Sequence, residues 1–240
     1  MGAAEAAAPG PHRPAVWVNC AVSLDGRLAF AGGERARLSS EADLYRVQRL
    51  RAHSEAILVG VGTVIKDDPS LRVHWELLGE PEGTNPTRVI VDGSGRTPER
   101  ARVLDGKAPT ILATSERSTR SFPPHVRTVV AGRDRVDLEV LFLRLYEFGI
   151  RRLMVEGGSG ILSSVLRGQL FDRLTVYFAP VLIGGTTAPP MLAGPETKGT
   201  DPLTELALVS VERLGPGYVA TYVPKDRGEP DASHAAIRPP

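Results

Sequence analysis

Cysteine is almost missing from this chain, with Cys20 the only one. A lone thiol excludes an internal disulfide. The five scattered histidines do not suggest the four-ligand Cys/His cage that a structural zinc needs, so no metal site is expected. Net charge is also missing: 29 basic against 28 acidic side chains leave +1. That balance argues against bulk binding to nucleic acid or to an anionic membrane, so any anion site must come from local clustering of cations. No apolar run approaches the roughly 20 residues that cross a bilayer. The first residues lack the basic and long apolar regions of a secretory signal, and Ala6 stands where a myristoylation start carries Ser or Thr. The expectation is a cytoplasmic protein.

What is present fits one α/β domain. A hydrophobic share of 42% and a charged share of 24% are ordinary for a globular fold, and 240 residues can bury a sizeable core. Residues 1–14 and 225–240, rich in Ala, Pro, Gly and charge, read as disordered tails around a single domain over 15–224. Within it, strands are predicted at 16–22, 56–59, 88–92, 110–114, 127–131, 153–156, 174–178, 206–211 and 218–223. Several are nearly continuous apolar runs, the mark of strands covered on both faces. Ser40 can cap a helix with Asp43 at its N3 position and Leu44, Val47 and Leu50 on one stripe. A second helix is predicted over 137–148, with Leu138, Leu141, Leu145 and Phe148 inward and Gly149 as the residue that ends it. A third spans about 160–167. Alternating strands and helices argue for a mainly parallel sheet, and the last two strands, with no helix between them, for an antiparallel edge.

Two strands run into glycine-rich turns, Val59-Gly60-Val61-Gly62-Thr63 and Val155-Glu156-Gly157-Gly158-Ser159-Gly160. If both strands are parallel in one sheet, both turns sit at its carboxyl edge, where α/β proteins bind ligands. Glycine lets backbone N–H groups approach a phosphate, and a following helix N-terminus adds a favourable dipole. One such turn is ordinary strand-end geometry; two together suggest a site, although neither matches G-x-G-x-x-G followed by an acidic residue. Asp92-Gly93-Ser94-Gly95-Arg96 follows the third strand, and there Ser94 and Arg96 can meet a 2′-phosphate or simply form a solvated loop. Arg35, Arg37, Arg51, Arg72 and His74 are candidate phosphate partners, each of which alone is more often a surface residue. Glu156 ends an apolar strand, where a carboxylate without a partner is costly, so it is the leading functional candidate. Asp25 reads as a turn residue, Asp67 and Asp68 as a paired-carboxylate acid/base site unless Asp67 instead caps a turn or binds a ribose hydroxyl, and Cys20 as inert core.

The succession Asn19-Cys20-Ala21-Val22-Ser23-Leu24-Asp25-Gly26, then Gly60-Val61-Gly62-Thr63-Val64-Ile65-Lys66-Asp67-Asp68-Pro69, then Glu156-Gly157-Gly158, then Ala179-Pro180-Val181-Leu182-Ile183-Gly184-Gly185 resembles the riboflavin-biosynthesis reductase family. The resemblance implies a dihydrofolate-reductase-like α/β fold with a mainly parallel central sheet, flanking helices and an antiparallel C-terminal edge. It also implies NADPH as hydride donor and a homodimer. By the same resemblance Thr63, Asp67, Asp92, Gly93, Ser94, Val130, Gly157, Gly158, Ser159 and Gly160 match cofactor positions. Arg51, Leu71, His74 and Glu156 match substrate positions, with Arg35 and Arg37 in a loop beside them. Ser159 departs from the Gly or Pro frequent in the family, and Arg72 from its Thr. The deaminase signature that accompanies some family members needs cysteines this sequence lacks, which favours 2,5-diamino-6-ribosylamino-4(3H)-pyrimidinone 5′-phosphate as substrate. The implied chemistry is hydride transfer to C1′ of the opened ribosylamine Schiff base, with Glu156 as the catalytic carboxylate. The alternatives are the deaminated uracil substrate, a pterin-type reductase, and a non-catalytic NADPH-binding module.

Overall fold

The computed structural model describes residues 12–194, 198 and 203–227. Nine strands form one sheet in the order β5-β4-β3-β2-β6-β1-β7-β9-β8. β1 (Ala15–Ser23) lies between β6 (Arg152–Gly157) and β7 (Arg173–Ala179), and is parallel to both. β2 (Ala56–Gly60), β3 (Thr87–Val91), β4 (Thr110–Thr114) and β5 (Val126–Val130) continue the parallel pairing outward from β6. β8 (Leu206–Leu214) and β9 (Gly217–Pro224) form an antiparallel hairpin that docks antiparallel on β7. Every expected strand is present, each displaced by a few residues at most, and the antiparallel edge lies where the sequence places it.

The apolar runs are buried on both faces because two helical layers sandwich the sheet. All five residues of β2 are buried. On one face Val18, Leu58 and Val155 pack under α4 (Leu138–Glu147) and α5 (Ser159–Arg167), through Leu141, Leu145, Leu162 and Val165. On the other, Ile57, Val59, Ile90 and Met154 meet Leu50 of α1 (Glu41–His53) and Val61 and Val64 of α2 (Val61–Asp67). A further single turn, α3 (Trp75–Leu78), was not evident in the sequence.

Three expectations need correction. The α1 stripe holds for Val47 and Leu50, which pack on the core, and fails at Leu44. Ser40 does cap the helix, accepting from the Asp43 N–H at 3.3 Å, but the buried residues are Asp43, Arg46, Gln48 and Leu50, while Leu44 is exposed. β1 presents Asn19 to this helix, and Arg46 bridges Asn19 Oδ1 at 2.8 Å and Asp43 Oδ1 at 2.7 Å, so polar groups can face inward with partners. In α4, Asp137 caps as its type suggests and Gly149 ends the helix at φ 88°, but Phe148 is half exposed under the Arg127 guanidinium, 4.5 Å from its ring centre. Arg13 and Lys225, both within the stretches expected as tails, make defined contacts. Arg13 holds Asp172 through two hydrogen bonds and Lys225 pairs with Glu205; residues 1–11 and 228–240 lie outside the described residues.

Candidate functional site

Because β2 and β6 are parallel neighbours, their glycine turns emerge side by side at the carboxyl edge. α2 begins at Val61 with no intervening loop, and α5 begins at Ser159 directly after two glycines. The turns share one cleft of about 810 Å³, lined by Gly60 through Thr63 and Gly157 through Gly160. Gly157 and Gly158 take φ of 141° and 77°, a region other residues avoid. A β-carbon on Gly158 would also stand 3.1 Å from Thr63 Oγ1, so the chain is bare where the two turns meet. The N-terminus of α5 has no side-chain cap, and its first residues, Ser159 through Leu162, line the cleft.

The rest of the wall carries charge. Arg35, Lys66, Asp67, Ser94, Arg96, Asp134, Arg135 and Glu156 line it together with Cys20, Ala21 and Leu28. Glu156 is held by Arg51 in a bidentate pair, Nε to Oε1 at 2.7 Å and Nη2 to Oε2 at 2.6 Å, both side chains largely buried. Burial works against the Arg51 charge, but the Glu156 carboxylate outweighs it and holds the guanidinium pKa above its ordinary value. Arg51 also donates to the Arg72 carbonyl at 3.1 Å, tying this wall to the 72–74 segment. Burial pushes the Cys20 thiol up to about 12, so although it borders the cleft it is no nucleophile near neutral pH.

The cleft gathers Arg35, Thr63, Asp67, Gly93, Ser94, Glu156, Gly157, Gly158, Ser159 and Gly160 from the candidates. Of the other matched positions, Arg51 holds Glu156 without itself lining the cleft, and four sit elsewhere. Asp92 is fully buried and accepts from the Arg96 and Thr97 N–H groups and from Thr97 Oγ1, at 2.7–2.8 Å; it shapes the loop that presents Ser94 and Arg96. Val130 is on the outer parallel strand, 55% exposed and off the cleft. The Leu71 side chain belongs to the core beneath α1, although its backbone holds φ 49°. His74 pairs with Glu76 at 3.1 Å and lines a separate hollow with Arg72 and Trp75. Sequence reasoning missed Lys66 and Arg135. Lys66 was legible in principle, one helical turn beyond Thr63 on the same short helix; Arg135 is brought to the cleft by a loop whose path only the tertiary fold sets.

Two loops build the remaining wall. Asp25 accepts from Ile183 N at 3.0 Å, Gly184 N at 2.7 Å and Ser23 Oγ at 2.7 Å. Hydrogen bonds from the Ile183 N–H, then Ser23 and Gly184, bring its pKa down to about 2. Asp25 is thus the anchor between the β1 exit and the 181–191 loop, which carries Pro189 to the cleft.

Residues 14–220 match the model of the RibD C-terminal domain family. The chain belongs to this family. It is 40% identical over 220 residues to the 2,5-diamino-6-ribosylamino-4(3H)-pyrimidinone 5′-phosphate reductase of Methanothermobacter thermautotrophicus, covering 89% of this chain and 99% of that one. The Archaeoglobus fulgidus reductase of the same name is 39% identical over 218 residues, covering 87% and 97%. Among solved structures, a Thermotoga maritima diaminohydroxyphosphoribosylaminopyrimidine deaminase/5-amino-6-(5-phosphoribosylamino)uracil reductase superposes with a TM-score of 0.75 at 29% identity. The match covers 88% of this chain and 57% of that longer one. A riboflavin biosynthesis reductase of Saccharomyces cerevisiae shares the fold, with a TM-score of 0.66 at 22% identity. The chain is therefore an oxidoreductase. Among the described residues no helix is long and apolar enough to cross a membrane.

Proposed function

We propose that this protein is an NADPH-dependent reductase that converts the ribosylamino group of 2,5-diamino-6-ribosylamino-4(3H)-pyrimidinone 5′-phosphate to ribitylamino, in riboflavin biosynthesis in the cytoplasm. The observation that carries the reading is the convergence of two glycine turns on one cleft, with the Arg51–Glu156 pair on its wall. The choice of the diamino substrate rests on the two relatives that this chain matches along nearly their whole length.

The residues present fit a dinucleotide. Gly157, Gly158 and the uncapped N-terminus of α5 form a bare backbone cradle for its phosphates, and Thr63 and Asp67 offer hydroxyl and carboxylate to its ribose and amide groups. Ser94 and Arg96, at the outer end of the cleft, suit a ribose 2′-phosphate. When bound, the reduced nicotinamide supplies the hydride that the opened sugar accepts at C1′. The protein's own part is to orient. Glu156, fixed by Arg51, accepts hydrogen bonds from sugar hydroxyls, and Arg35 on the cleft wall suits the substrate phosphate. Proximity of this kind is worth roughly 7–11 kcal/mol in favourable cases.

The direct test is NADPH oxidation with the diaminopyrimidine and the deaminated uracil compound side by side, with the product weighed by mass spectrometry. We expect turnover of the diamino compound and a product gaining two hydrogens; preference for the uracil compound would overturn the substrate assignment. NADPH binding without any oxidation would mark a non-catalytic module.

The reading includes a homodimer. Support comes from β8, which ends the sheet and exposes Leu208 and Val211, each 57% accessible. An apolar edge strand left open invites pairing with another copy. Leu208→Lys is expected to shift the sedimentation coefficient to that of a monomer; a wild type that sediments as a monomer would refute the dimer.

A further inference from the structure

Two loops at the carboxyl edge are zipped into one unit. Leu24 donates to the Val181 carbonyl at 2.8 Å, Leu28 to Pro189 at 2.8 Å, and Met191 back to Gly26 at 3.1 Å. The Arg27 guanidinium reaches the Ala188 carbonyl at 3.0 Å, and the Asp25 carboxylate takes the Ile183 and Gly184 N–H groups. This clasp contributes Leu28, Ala29 and Pro189 to the wall of the cleft. The neighbouring wall is the glycine cradle at the start of α5. The Ser159 side chain bridges the two: its Oγ donates to the Pro190 carbonyl at 2.6 Å.

A serine hydroxyl has one proton to give. Donated to Pro190, it is not available to a phosphate oxygen, although the Ser159 backbone remains part of the cradle. We infer that Ser159 is a positioning residue whose hydroxyl couples the cofactor cradle to the 24–29/181–191 clasp and so sets the width of the cleft between them. The inference rests on the nicotinamide reading of the cleft for its functional consequence, but the coupling is a property of the free protein. With the tie in place, closing the cradle on a dinucleotide holds the clasp, and loosening the clasp loosens the cradle. Glycine or proline at this position has no hydroxyl and cannot make the bond.

The test is a double-mutant cycle with Ser159→Ala and Asp25→Asn, which weakens the clasp at its other anchor. NADPH affinity is read by the fluorescence of the bound dinucleotide, and amide hydrogen exchange is followed at Ile183, Gly184 and Met191 without ligand. Loss of one such bond is expected to raise the NADPH Kd about fivefold and to speed exchange at these amides by a similar factor. The double variant should be no weaker in binding than the worse single one, and Ser159→Thr, which keeps a hydroxyl, should restore wild-type values. Unchanged exchange in Ser159→Ala, or fully multiplicative losses of affinity, would overturn the coupling and make the hydroxyl a direct ligand or a bystander. Failure of the wild type to bind NADPH would instead refute the nicotinamide reading, and the exchange arm would still decide the tie.

Discussion

Two arginines of α1, five residues apart, each grip a carboxylate, and they do so to different ends. Arg46 is buried with Asp43 and Asn19 between helix and sheet, out of reach of any ligand. Arg51 reaches across to Glu156 of β6, and that carboxylate borders the cleft. The first network is closed on protein partners, apart from Asp43 Oδ2, which is buried without one. The second keeps one side toward the space where substrate would lie. Charge pairs of similar geometry thus separate into scaffold and site by what stands on their far side.

Substitutions can break this contrast. The largest effect is expected from Arg46→Met, which leaves Asp43 buried without its cation; removing one partner of a buried pair costs about 3–5 kcal/mol. Chemical denaturation should show that loss, while KM and kcat per folded molecule stay near wild type. Glu156→Gln should do the reverse: kcat falls about 100-fold, or roughly 2.7 kcal/mol, with the midpoint of unfolding changed less and the NADPH Kd nearly unchanged. A large loss of NADPH affinity in that variant would remove Glu156 from the substrate wall. If both variants lose stability and rate alike, the distinction between the pairs is wrong.

A smaller effect sharpens the cofactor end of the cleft. Arg96 is exposed, so Arg96→Ala should raise the KM for NADPH about five- to tenfold and leave that for NADH unaltered. Equal effects on both would dissociate Arg96 from the 2′-phosphate. The smallest concerns acid. Asp25 has its pKa depressed from 3.8 to about 2, so its contribution is complete above about pH 4 and is lost as pH falls toward 2. Exchange at the Ile183 and Gly184 amides should stay slow at pH 4 and accelerate, relative to intrinsic rates, near pH 2. In Asp25→Asn that acceleration should be absent.

Much of the fold was legible because its signals are local. β2 reads Ala-Ile-Leu-Val-Gly and β4 Thr-Ile-Leu-Ala-Thr, apolar on both faces, and no other element suits such runs. The caps at Ser40 and Asp137 depend on the residue and its next turn. The glycine turns were visible for the same reason. α1 misled at Leu44 because part of its inward face is polar, and hydrophobic periodicity cannot register the turn that packs through Arg46 on Asn19. Asp92 differs in another way: the resemblance matches it to a cofactor position, yet its side-chain oxygens are taken by Arg96 and Thr97 a few residues on.

The amino-acid sequence by itself determined which segments become strands, where the longer helices lie, and that glycine turns follow two of the strands, since these depend on side-chain type and near neighbours. Tertiary structure alone decided that β6 lies between β1 and β2, so that both turns open into one cleft. It alone brought Arg51 to Glu156 across 105 positions, and Ser159 to Pro190 across 31. Contacts at such separation are set by how the sheet orders its strands, a cooperative property of the packed chain that no local window of residues contains.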